Sequence, residues 1–212
     1  MSGALQVTFM NQRSFGEPPP TVIGQAYGGG FYAGQIGVSS VATHYIIVGP
    51  VSSAQSTLAW KTSNTTTAGT SSVIDGPANS TAMNNASHPA AQFCEGLSIG
   101  GFSDWYMPAK NEVEVCYYNL KPTTTSNQTS SGINANAVPS RASNYTTGTP
   151  AQTTAADFIT STGAEAFTAG PYWASTEYGA IYGWAQDFPN GRQYDGSKSS
   201  LNRVRAVRRV AV

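Results

Sequence analysis

The 212 residues carry only 10% charged side chains and a formal net charge of zero. This argues against a disordered acidic or basic chain and against a general nucleic-acid binder, which needs a broad basic face. The polar residues are Ser, Thr, Asn and Gln with 22 Gly, a neutral and loop-rich composition on a chain long enough for one domain with an arm.

The first 25 residues read as an arm. Ala4-Leu5-Gln6-Val7-Thr8-Phe9-Met10 alternates as a short strand, and Pro18-Pro19-Pro20 forms a stiff, extended link. The expectation is an arm that docks on a neighbouring subunit or, alternatively, serves as an edge strand of the same domain, with the domain proper at residues 26–212. Met1 to Met10 lacks the basic and apolar regions of a secretory signal, and no stretch approaches the ~20 apolar residues of a membrane span. A protein made in a cytoplasm and inserted in no membrane is therefore expected.

Gly28-Gly29-Gly30 lacks the Lys-Ser/Thr and the helix of a phosphate loop, so it reads as a tight turn. The runs 31–38 and 44–48 form a hairpin pattern, and residues 61–72 a Thr/Ser loop. Asp75 offers an N-cap to a helix through Ala78, Ala82 and Met83. Ser87 offers one to a second helix, with Pro89 in its first turn and Ala90, Ala91, Phe93, Cys94 and Leu97 on its apolar face. Pro108 opens a third helix carrying Val113, Cys116, Tyr117 and Leu120, and Pro122 stops it. Residues 121–152 read as a long ordered loop, and 155–159 as one or two helical turns. Strand signals return at 164–167, 172–177, 182–188 and 203–210, with Asn190-Gly191 as a hairpin turn. Strands, helices, then strands again make an α+β domain. Cys94 and Cys116 read as two buried thiols, a disulfide between them being the alternative. Five N-x-Ser/Thr triplets, at Asn64, Asn79, Asn85, Asn127 and Asn144, read as chance in a Ser/Thr/Asn-rich chain.

Three segments carry the densest pattern: Gly100-Gly101-Phe102-Ser103-Asp104-Trp105-Tyr106-Met107-Pro108, Tyr172-Trp173-Ala174-Ser175-Thr176-Glu177-Tyr178, and Arg203-Val204-Arg205-Ala206-Val207-Arg208. Asp104 is placed to accept backbone N–H groups at the turn before a helix. Phe102, Trp105, Trp173, Trp184 and Phe188 are expected in the core. Tyr178, Tyr182 and Tyr194 flank turns and are expected at the surface, where aromatic rings beside short polar residues suit sugar or protein recognition. With Arg192 and Lys198 they form the candidate receptor contacts. The other C-terminal cations, Arg203, Arg205, Arg208 and Arg209, read as partners of Glu95, Glu112, Glu114 or Glu177, or as an anionic-glycan patch. His44 and His88 have no supporting catalytic motif, and Glu112 and Glu114 fall on different helix faces. No H-E-x-x-H, C-x-x-C or EF-hand spacing occurs. A non-enzymatic protein without catalytic residues, metal or cofactor is expected.

In order and spacing these segments resemble the Lcl-type C-terminal domain, known from a collagen-like bacterial adhesin and from phage proteins. The resemblance gives Asp104, Trp105, Pro108, Trp173, Glu177, Trp184, Arg205 and Arg208 as structural motif residues. It implies a C-type-lectin-like fold of twisted antiparallel strands with two or three helices. It also implies a phage virion surface or fibre-tip protein: a homotrimer joined to other virion proteins through its arm and attaching to host-surface glycan or protein. An architectural decoration or adaptor protein, or a bacterial surface adhesin domain, are the alternatives. The chain departs from the pattern at Ala109, where the family has Ser or Thr three residues before Glu, so a side-chain helix cap is lost at that point. The Glu-Pro-Asn, Gln-Pro-Asp and Trp-Asn-Asp signatures of calcium-dependent lectins are absent, and neither cysteine resembles that of the formylglycine-generating enzymes.

Overall fold

A computed structural model describes residues 17–212 of the chain; the strand expected at residues 4–10 lies outside them. Strands β1 (Ala26–Tyr27), β2 (Gly30–Val38), β3 (Val41–Val48) and β9 (Val207–Ala211) form one antiparallel sheet in that order. Gly28 and Gly29 make the expected tight turn, with φ of +56° and +82°. Ser39 and Ser40, both at positive φ, close the β2–β3 hairpin as a two-residue turn whose twist matches the strands. The boundary expected at 25/26 is corrected: Gly24 N–H bonds Tyr32 O and Tyr32 N–H bonds Gln25 O, both at 2.8 Å, and Pro20 is buried. Residues 20–25 thus belong to the folded body.

The second sheet runs β4 (Gln55–Ala59), β8 (Leu201–Arg205), β5 (Pro171–Glu177), β6 (Tyr182–Asp187), β7 (Gln193–Ser197). The single strand expected over 203–210 is in fact two, β8 and β9, one in each sheet. The crossing is at Ala206, which is buried and bonded on both sides: its N–H reaches Ala54 O and its carbonyl accepts Gly49 N–H, each at 2.9 Å. Val204 and Val207, three residues apart, cannot face one core from one unbroken strand. Val204 joins one apolar cluster, around Trp60, Trp105 and Trp173. Val207 joins the other, around Tyr117, Phe158, Phe167 and Phe188. The stretch 164–167 is irregular rather than a strand. Phe167 is instead stacked on Phe188, with ring centroids 3.9 Å apart.

Helices α1 (Val51–Ala54), α2 (Gly76–Ala82), α3 (Pro89–Glu95) and α4 (Lys110–Leu120) connect the sheets, and 156–158 form one 3-10 turn. Among the described residues the fold is α+β with four helices rather than two or three, α1 having been too short to read. Asp75 caps α2 through Ala78 N–H (3.2 Å), as expected. His88, not Ser87, occupies the cap position of α3. α4 starts two residues after Pro108. Residues 121–152 hold no helix or named strand, but their inward polar groups order them. Asn127 accepts the Tyr117 hydroxyl (2.6 Å) and donates to Pro150 O (2.8 Å), while Lys121 donates to Thr125 O (2.6 Å). Cys94 and Cys116 are separate buried thiols, one in each cluster. No helix among the described residues is long and apolar enough to cross a membrane.

Candidate functional site

The basic C-terminal run is largely consumed inside the fold. Arg208 grips Asp104 with two bonds, Nε to Oδ1 at 2.7 Å and Nη2 to Oδ2 at 2.9 Å. It also donates to Gly28 O (3.0 Å) and lies 3.8 Å from the Phe102 ring centroid. Asp104 therefore takes a guanidinium rather than the backbone N–H groups expected of it, and Phe102 is half-buried under that cation rather than in the core. Arg205 is buried and bonds Gly49 O (2.8 Å), Glu165 O (2.7 Å) and Glu165 Oε2 (2.7 Å). Burial lowers its pKa to about 10, with Glu165 opposing that shift. Arg209 Nε donates to Glu112 Oε1 (2.7 Å), which also accepts the Tyr106 hydroxyl (2.5 Å). Glu114 pairs with Arg141 instead of a C-terminal strand cation.

Lys198, expected among the surface receptor contacts, is corrected outright: it is 0% exposed. Its ammonium pairs with Glu177 and donates to Thr65 O (2.9 Å) and Ala180 O (3.1 Å), 4.6 Å from the ring of Trp60. Three acceptors match its three donors, so it acts as a pin between the 61–67 loop and the 178–182 turn. Lys61 sits beside it, bonded to Thr65 O, Thr66 O and Thr67 Oγ1.

Alternation along β6 and β7 divides the remaining candidates. Trp184 opposes Asp195 across the ladder, and Ala185 opposes Tyr194. Residues directly opposite share a face, and neighbours along a strand do not. Tyr194 is therefore on the other face from Trp184, packed on the Trp105 cluster, with Arg192 5.1 Å from its ring. The structure does not join these two residues to Tyr178 and Tyr182. It does bring Tyr178 and Tyr182 together with Trp184. Tyr178 is 55% and Tyr182 39% exposed. Tyr178 stands edge-on to Trp184 with centroids 5.1 Å apart at 83°. Trp184, expected in the core, is only half-buried, and the Lys110 ammonium lies 3.9 Å from its ring centroid.

Trp105, Trp173 and Pro108 are buried as the motif implies. Trp105 Nε1 donates to Phe102 O (3.1 Å) and Trp173 Nε1 to Leu58 O (3.0 Å). Trp60, which no pattern singled out, donates to Ala174 O (2.9 Å). It sits beneath Gly183, whose missing Cβ leaves that ring room. Trp60 and Trp173 thus form the floor of the hairpin that carries the aromatic patch. Rings presented edge and face, with an ammonium over Trp184 and the exposed Asp195 across the ladder from it, can stack on an apolar surface and both donate and accept hydrogen bonds. Lys110 was missed because nothing local links residue 110 to residue 184. Among the described residues no group of three His, Cys, Asp or Glu could hold a metal ion.

No curated protein matches the chain. A family model described as the Lcl C-terminal domain matches residues 49–208, a span that contains all three motif segments, four of the five ion pairs and the Tyr178–Trp184 patch. That family is compatible with a surface or adhesin-type domain. On this match the chain belongs to the Lcl C-terminal domain family.

Proposed function

We propose that the protein is a non-enzymatic binding module of C-type-lectin-like fold, displayed on a phage virion surface or fibre tip as a homotrimer. It attaches to glycan or protein on the host surface. The observation that carries this reading is the patch of Tyr178, Tyr182 and Trp184, three rings partly open to solvent on a hairpin whose underside is locked by Trp60 and Lys198. Pre-organised aromatic area gives contact at low entropic cost. Lys110 and Asp195 add a donor and an acceptor. The lectin-like reading of the fold is supported by the way its first hairpin and last strand share one sheet, with the second sheet looped between them.

The test is binding of the purified full-length chain to intact bacterial cells and to immobilised neutral and sulfated polysaccharides. Tyr178→Ala combined with Tyr182→Ala should weaken binding by about tenfold or more, because each ring is an exposed anchor, while melting temperature is unchanged. Unaltered binding would reject the patch. No binding to any surface, with the protein seated inside an assembled particle, would favour the architectural role. Release of reducing sugar that stops in a His44 or His88 variant would overturn the non-enzymatic reading.

A further inference from the structure

We infer that the outer edge of β9 is a strand-addition site, and that its occupant is the chain's own segment Ala4–Met10. Antiparallel pairing uses alternate residues of a strand on each side. Val207 turns its N–H and C=O away from β3, where both bond Tyr106 (3.0 and 2.9 Å), whereas Val212 N–H turns toward β3 and bonds Thr43 O (3.2 Å). By this alternation Arg209 and Ala211 point their N–H and C=O groups away from β3. Among the described residues no backbone hydrogen bond meets them there. Unpaired groups in a row on a sheet edge are a template for another strand. Alongside Arg209 runs a cleft of about 240 Å³ lined by Pro77, Thr81, Trp105 and Tyr106, among others, which gives side chains of an added strand a place to lie.

The occupant follows from where the described chain begins. The Glu17 carboxylate accepts Gly28 N–H (3.4 Å), and Gly28 O accepts Nη1 of Arg208 (3.0 Å), a residue of β9 itself. Glu17 is thus separated from β9 by two side chains and one glycine. The seven steps from Glu17 back to Met10 span up to about 25 Å when extended, enough to bring Ala4–Met10 to that edge. The segment has no charge, Pro or Gly, and alternates Leu5, Val7 and Phe9 with Gln6 and Thr8, as a strand with one apolar face requires. A segment on so short a tether meets its own edge at an effective concentration on the order of millimolar. The arm of a free second copy in dilute solution does not match that. The arm therefore covers its own domain's edge.

Residue-resolved amide hydrogen exchange tests this on the full-length chain and on Val7→Pro. The substitution removes a donor and places a ring in the ladder. The Arg209 and Ala211 amides should exchange at least about tenfold more slowly in the wild type than in the variant. That protection should not change with protein concentration, and the Tyr45 and Ile46 amides should exchange alike in both proteins. Thr8→Pro gives the same reading should Val7→Pro not fold. Equal rates at Arg209 and Ala211 in wild type and variant would overturn the inference. Protection that rises with protein concentration would also overturn it, by assigning the strand to a second copy.

Discussion

At the scale of single residues, buried polar groups do more to define this domain than its few charges suggest. Trp173 is fully buried with its indole N–H bonded to Leu58 O, so Trp173→Ala should cost roughly 3–5 kcal/mol in urea unfolding, the range for a core aromatic. His88 lies between Asn85 and Thr67 near the Lys61 and Lys198 ammonium groups, with Glu177 opposing them. Burial first, then those two cations, lower its pKa to about 4. Asn85 Oδ1 can only accept, so the His88 proton belongs on Nδ1 (2.9 Å), and Nε2 accepts the Thr67 hydroxyl (2.9 Å). Because the folded pKa is depressed, the unfolded chain takes up a proton between pH 6.5 and 4 that the folded chain refuses. Stability from neutral His88 is therefore present above 6.5 and falls as pH drops toward 4. Over that window the wild type should lose up to about 3 kcal/mol more than His88→Gln. The raised carboxyl pKa values of Glu112 and Glu114 act with opposite sign but are common to both proteins, so the difference isolates the imidazole. Parallel pH profiles would show that His88 is protonated in the fold.

At the scale of elements, α4 shows how a lost cap is replaced. Ala109 offers no side-chain acceptor, yet the first helical N–H groups are satisfied. Lys110 N–H bonds Thr176 Oγ1 and Asn111 N–H bonds Val73 O, each at 2.9 Å. Glu112 keeps its half of the capping box by accepting Ala109 N–H (2.7 Å). The same carboxylate holds Arg209 and Tyr106, so one residue joins the start of α4 to β9. Glu112→Ala should cost about 3–5 kcal/mol, since it leaves the Arg209 guanidinium partly buried without its counter-charge. Chemical denaturation checks this, and a loss below about 1 kcal/mol would mean that Arg209 swings out to water. The S/T-x-x-E pattern was legible and its failure at Ala109 was visible. Its replacements were not, because they come from residues 73 and 176, distant in sequence.

At the scale of the whole molecule, the proposed trimer should give a light-scattering mass three times the 22.2 kDa of one chain. A mass of one chain at micromolar concentration would reject it. If the arm covers its own β9, Val7→Pro should leave that mass unchanged, which separates assembly from arm docking. What the sequence by itself determined is whatever short-range chemistry dictates. This includes the Gly28-Gly29 turn, the β2–β3 hairpin, the Asp75 cap, the approximate extents of α2, α3 and α4, the α+β class and, through three motif segments, the family. What the tertiary structure decided depends on partners far along the chain. Arg203–Val210 broke at Ala206 because two cores lie on either side of it. Lys198 went inward because Glu177, Thr65 and Ala180 together supply the acceptors that offset burying an ammonium. Tyr194 parted from Tyr182 because register, not sequence proximity, assigns each side chain to a face of the sheet. Trp184 joined Tyr178 and Lys110 at the surface because folding brings the start of α4 against β6, a juxtaposition that no local pattern encodes.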